Sequence, residues 1–192
     1  MTPNIDTAPL GTPTGTSSDA SHRDECRIYV ACLAAYNNGI LHGRWIDAAQ
    51  GEDHIWNETR AVLKSSPIAE AEEWAIHDYE GFEGASLHEY SSFESVADLA
   101  EFVSEHGELG AKLYEHFGER LDEARAAFED YAGEHKSLAD FAEDLTRDCG
   151  PEIPEQLQFY IDWTALARDM ELNGDVFTIE TGFDQIHVFW SR

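Results

Sequence analysis

Four carboxylates, Glu94, Asp98, Glu101 and Glu105, recur at steps of four, three and four residues, a spacing that puts them on one side of a helix. Carboxylates so arranged can work as general acid and base, gather round a cation, or present fixed negative charge to a basic partner. The first two uses need companions, and the sequence offers few. It contains no GxGxxG, P-loop, GxSxG or HExxH run, and no Asp-x-Asp-x-Asp-Gly calcium loop. Nine histidines never stand three or four residues apart, the spacing of a helical metal pair. Cys26, Cys32 and Cys149 neither pair evenly nor show zinc spacing, and read as reduced thiols. These residues name no enzyme and leave one open. The competing class is a carboxylate-based metal-dependent hydrolase or cation-binding protein, which would show stoichiometric binding of calcium, magnesium or manganese.

The charge of the whole chain sharpens the third use. In 192 residues, 39 Asp and Glu oppose 12 Lys and Arg, a formal net charge of −27. That balance excludes the cationic route to nucleic acid or an anionic membrane. Hydrophobic residues make up 42 %, enough to build cores, so disorder does not explain the acidity. The charge is also local. Residues 27–68 hold four acids and four bases, whereas residues 69–149 hold 23 acids and five bases. Halophilic adaptation would spread acids evenly, and cation buffering would favour loop clusters over helix faces. A third reading is an acidic array that copies the phosphates of a duplex and fills the DNA site of a protein, and the magnitudes permit it. Four acids from Glu94 to Glu105 cover roughly 16 Å at about 1.5 Å per residue, so two or three such helices approach duplex charge density.

The elements that must position these acids follow from periodicity and punctuation. Residues 1–26, with the run Gly11-Thr-Pro-Thr-Gly-Thr-Ser-Ser18, read as a disordered tail that lacks a signal-peptide core. No apolar run reaches the roughly 20 residues of a membrane span, and a cytoplasmic location is expected. Arg27-Ile-Tyr-Val-Ala-Cys-Leu-Ala-Ala-Tyr36, the turn signal Asn37-Asn38-Gly39 and a run over 40–46 predict a β-hairpin. A helix over 51–65 and a strand over 74–79 follow. Helices are predicted over 92–105, 109–117, 120–131 and 137–148, and a longer one over 155–170. A hairpin over 176–190 closes the chain. Strands, then helices, then strands indicate α+β. Three sub-domains are expected at 27–85, 86–127 and 128–192.

Several runs resemble one known family. Arg27-Ile-Tyr-Val-Ala-Cys-Leu-Ala-Ala-Tyr-Asn-Asn-Gly-Ile-Leu-His-Gly-Arg-Trp-Ile-Asp47 is similar to the opening of the ArdA antirestriction proteins. Glu73-Trp-Ala-Ile-His-Asp-Tyr-Glu-Gly-Phe82 resembles a second signature, Asp130-Tyr-Ala-Gly-Glu-His-Lys-Ser-Leu-Ala-Asp-Phe-Ala-Glu-Asp144 a third, and Ile179-Glu-Thr-Gly-Phe183 with Val188-Phe-Trp190 the close. The resemblance implies a non-enzymatic DNA mimic, without metal or cofactor, that binds type I restriction–modification enzymes in place of DNA and protects incoming plasmids or transposons. It implies an elongated, curved, three-part α+β molecule that dimerises through its C-terminal part. Residues 126–146 resemble the family's antirestriction motif, in which Asp130, Glu134, Asp140, Glu143 and Asp144 supply charge, and Tyr131 and Gly133 supply shape. With the helical acids Glu94, Asp98, Glu101, Glu105, Glu115, Glu119, Asp122 and Glu123, these form the expected partner-binding surface, directed at the methyltransferase core and not at nucleic acid.

Trp45, Trp74, Trp163 and Trp190 read most simply as core or interface anchors. The helix expected over 155–170 carries apolar residues on two flanks, more than a hairpin can cover, so Leu157, Tyr160 and Ile161 are the expected contacts of a homodimer.

Overall fold

The computed structural model describes residues 25–191; the expected tail lies outside the described residues as far as position 24. Cys26, at the tail's expected end, is already buried, with its Sγ 3.1 Å from the Gly81 carbonyl.

Among the described residues, two three-stranded antiparallel sheets and seven helices make an α+β fold. The first sheet has β1 (Arg27–Cys32) at its centre, between β2 (Gly43–Asp47) and β3 (Trp74–Glu80). Its register sets Ile28 against Ile46 and Val30 against Ile76, all four buried on one face. The connection after β1 differs from the predicted tight hairpin. Leu33–Asn37 forms a short helix, α1, and β2 starts only at Gly43. Leu33 and two alanines favour helix over strand, so the strand ends four residues early. Helix α2 (Glu52–Lys64) matches the prediction and buries Ile55, Thr59 and Val62 against the sheet side of the core.

Helix α3 (Phe93–His116) is the backbone of the middle of the chain. Ser92 caps it by accepting a hydrogen bond from the Ser95 amide at 3.2 Å. At Gly107 the backbone takes φ 57° and ψ −142°, which breaks the helix between the two segments the periodicity predicts. The first segment packs Phe93, Val96, Leu99 and Val103 into the core of the first sheet. The second places Leu113 in a separate core with Phe102, Ala124, Ile179 and Phe189. One helix therefore joins both cores, and Tyr114 and Leu121 touch each of them.

Helix α4 (Leu121–Ala127) is shorter than expected. A 3₁₀ turn over Phe128–Asp130 leads into β4 (Tyr131–His135), a strand that local periodicity misses. Its partner is β6 (Gln185–Trp190), more than fifty residues away, with Glu134 opposite His187. Only that distant pairing makes the segment extended. Gly133, at φ 126°, sits where the register shifts. Helix α5 (Leu138–Cys149) starts where the predicted helix does, capped by Ser137, which accepts from the Asp140 amide at 3.1 Å.

The single helix expected over 155–170 is replaced by two. Glu155–Gln158 gives one turn, α6, and Trp163–Leu172 gives α7. Asp162 decides the break: its carboxylate accepts from the Ala165 amide at 2.9 Å, starting a new helix where the apolar count had run straight through. The closing hairpin is β5 (Val176–Gly182) and β6, turned at Phe183 and Asp184, with β6 in the middle of the second sheet. Phe141, Val176 and Val188 form a core beneath α5.

Candidate partner-binding surface

The acids of α3 face outward because its apolar stripe faces inward. Phe93, Val96, Ala97, Leu99, Ala100, Phe102 and Val103 are buried, which leaves Glu94, Asp98, Glu101 and Glu105 exposed on the opposite side. Beyond the break, Ala111 and Leu113 turn inward and Glu115 is exposed. Two successive positive-φ residues, Gly118 and Glu119, reverse the chain into α4. There Ala124 and Ala127 are buried while Asp122 and Glu123 face solvent.

These acids do not stand alone on one helix. A groove of about 410 Å³ between the start of α2 and the first segment of α3 is lined by Glu52, Glu94, Asp98 and Glu101. A second concavity, about 170 Å³, brings Asp98 together with Glu119 and Asp122 beside Tyr114. Asp98 belongs to both, so carboxylates from α2, α3, the following turn and α4 form one continuous band. Sequence reasoning missed Glu52 because its stretch of chain is charge-neutral as a whole. Its place beside Asp53 in the first turn of a helix, where the dipole favours an acid, was the available signal.

Cations inside the band are few and peripheral. Arg125 of α4 reaches across to α3, where its Nη2 donates to the Asp98 carbonyl at 3.2 Å and to Glu101 at 3.3 Å. Arg120 pairs with Glu123 at 2.6 Å, and His88 lies 3.2 Å from Glu119. His106 is 3.8 Å from Glu105. Among the described residues, Glu94, Asp98, Glu115 and Asp122 have no ion-pair partner within 4 Å. Burial, reinforced by Glu119, raises the pKa of the Tyr114 hydroxyl.

The motif segment is built differently. Asp130 and Glu143 are half-buried, whereas Glu134, Asp140 and Asp144 are exposed. Asp140 accepts from the Ser137 hydroxyl at 2.6 Å, Glu143 pairs with Arg147, and Asp144 lies 3.7 Å from His135. These acids lie on the 3₁₀ turn before β4, on β4 and on α5, separate in the chain from the α3 band. The structure thus gathers Glu94, Asp98, Glu101, Glu119 and Asp122 round two neighbouring grooves. Glu123 and Asp130 meet at a third, apolar groove. Leu157 and Tyr160, on and after α6, are exposed, Tyr160 at 85 %, and Ile161 is half-buried.

Among the described residues, no three His, Cys, Asp or Glu side chains form a group that could hold a metal ion. Nor is any described helix long and apolar enough to cross a membrane. Carboxylates that are exposed and banded, and of which Glu94, Asp98, Glu115 and Asp122 have no ion-pair partner within 4 Å among the described residues, offer a field for a cationic surface.

The sequence profile of the family described as Antirestriction protein (ArdA) matches residues 28–185. The chain belongs to the ArdA antirestriction family. ArdA membership implies antirestriction directed at type I restriction–modification enzymes. The ArdA match runs from β1 through β5 and stops at the start of β6; it takes in α2, the whole of α3, α4 and the motif strand β4, so the acidic band lies wholly within the family region. No curated protein sequence matches the chain.

Proposed function

We propose that this protein inhibits type I restriction–modification enzymes by presenting its carboxylate band in place of DNA phosphates, and so occupies the DNA-binding site of their methyltransferase core. The observation that carries the reading is the continuity of the band. Asp98 links a groove shared with Glu52, Glu94 and Glu101 to one shared with Glu119 and Asp122. Charge fixed on packed helices is preorganised, so a basic site built for a duplex meets it without ordering a loop.

Inhibition of this kind is binding, not catalysis, and needs no cofactor. The partner's Lys and Arg side chains exchange phosphate for carboxylate, and salt weakens the complex as it weakens DNA binding. The C-terminal apolar residues fit a two-fold dimer. Leu157 and Tyr160 lie exposed beside Phe159, and burying them between copies would double the acidic surface on one axis. In the cell, such a molecule protects incoming mobile DNA in the cytoplasm.

Cleavage of unmodified DNA by a purified type I enzyme tests the proposal. Stoichiometric addition of this protein should stop cleavage, and excess unmodified DNA should restore it. Inhibition that excess DNA leaves untouched would overturn it.

A further inference from the structure

The concavity that differs most from the acidic grooves lies at the far end of α4. It measures about 280 Å³ and is walled by Phe117, Ala126, Phe177 and Trp190, with Glu123 and Asp130 on its lining. That is below the roughly 300–1,000 Å³ of small-molecule pockets, and suits a single side chain better than a metabolite. Trp190 is 38 % exposed, which is open for an aromatic ring beside a core. Phe177 is held between His116 and Phe189, stacked on both with ring centroids at 4.8 and 5.0 Å, so the open aromatic face of the groove is that of Trp190.

An occupant must satisfy both halves of this lining. A purely apolar side chain would bring no donor to the carboxylates, and a lysine ammonium, a compact point charge, would not lie flat against the aromatic wall. Arginine meets both. Its methylene stem covers apolar carbon, its planar guanidinium lies against an aromatic ring, and its fork of N–H donors matches a carboxylate. Glu123 is held by Arg120 in an exposed pair three residues apart, the kind of ion pair an incoming guanidinium displaces readily. The acidic surface continues onto this groove through Asp122 and Glu123 of the same helix.

We infer that this groove is an arginine receptor: it takes one arginine side chain from the DNA-binding surface of the restriction enzyme, and anchors the complex where the phosphate-like band alone gives only diffuse attraction. The inference rests on the inhibitory reading above. Aromatic and arginine side chains dominate interface hot spots, so such a contact would set residence time while the band sets approach.

Ala126 provides the test, because it is exposed on α4 and lines the groove without filling it. Ala126→Leu fills the space and leaves charge and helix propensity nearly unchanged. Binding of the full chain to a purified type I methyltransferase core should weaken at least tenfold, and the slope of log affinity against log salt should fall. Unchanged affinity in Ala126→Leu would overturn the groove while leaving mimicry standing. Weakening with an unchanged salt slope would overturn arginine in favour of an apolar occupant. If the parent protein itself fails to bind the core, both readings fall together.

Discussion

The Tyr131 hydroxyl lies 2.8 Å from Nδ1 of His187, and the other ring nitrogen of His187 lies 3.0 Å from the Thr181 hydroxyl. One imidazole on the central strand therefore ties the motif strand β4 to β5 across the whole second sheet. Burial lowers the His187 pKa below 6.5, against an opposing pull from Glu134. The folded form thus binds its proton less readily than the unfolded chain does. Its contribution to stability is fully present above about pH 6.5 and is lost as pH falls below that value. Urea unfolding of the His187→Gln variant should lose this component of the pH dependence. An identical profile in parent and variant between pH 7 and 5.5 would contradict it.

Tyr131→Phe removes the other end of the same link. A single hydrogen bond of this kind contributes about 0.5–1.5 kcal/mol, and Tyr131 is partly exposed, so the loss should fall at the lower end. Chemical denaturation should show a small drop with an unchanged m-value. A collapse of the fold would mean that the strand depends on more than this contact.

Charge on the first segment of α3 should act collectively. Replacing Glu94, Asp98, Glu101 and Glu105 together by Gln, Asn, Gln and Gln should weaken binding to the methyltransferase core and flatten its salt dependence, while no single change abolishes it. The same variant should melt no lower than the parent at low salt, since four mutually repelling charges have gone. A single substitution that eliminated binding with the fold intact would point to a localised site instead.

The break between α6 and α7 should depend on Asp162. Asp162→Ala deprives the Ala165 amide of its acceptor and should cost about 1 kcal/mol, within the roughly 0.5–2 kcal/mol range of lost N-caps. Thermal melting by circular dichroism reads it directly. A variant as stable as the parent would mean that the neighbouring Trp163 packing alone starts α7.

Sedimentation at moderate salt tests the two-fold assembly. The parent should sediment as a dimer at micromolar concentration, and joint replacement of Leu157 and Tyr160 by Asp should yield a folded monomer. A monomeric parent would remove the dimer from the reading without touching the acidic band.

Much of this architecture was legible in the sequence, and the failures share a cause. The α3 stripe from Val96 to Val103 and the caps at Ser92 and Ser137 are local signals, and they placed the exposed acids correctly on their helices. Strand β4 was not legible, because Tyr131–His135 is made extended by residues beyond 185. The early end of β1 and the break at Asp162 were written in the sequence as helix-forming alanines and a capping carboxylate, but both were masked by apolar runs that continue through them. Glu52 could not be assigned to the band from composition, since only the packing of α2 beside α3 brings it to Asp98.

The central claim is that this protein and DNA compete for one site. A purified type I methyltransferase core, labelled target DNA and this protein should be brought to equilibrium and the species resolved by multi-wavelength sedimentation. The expected result is two mutually exclusive complexes, with DNA displaced in proportion to the protein bound and the exchange shifting together with salt. A stable ternary complex containing core, DNA and this protein would contradict mimicry outright.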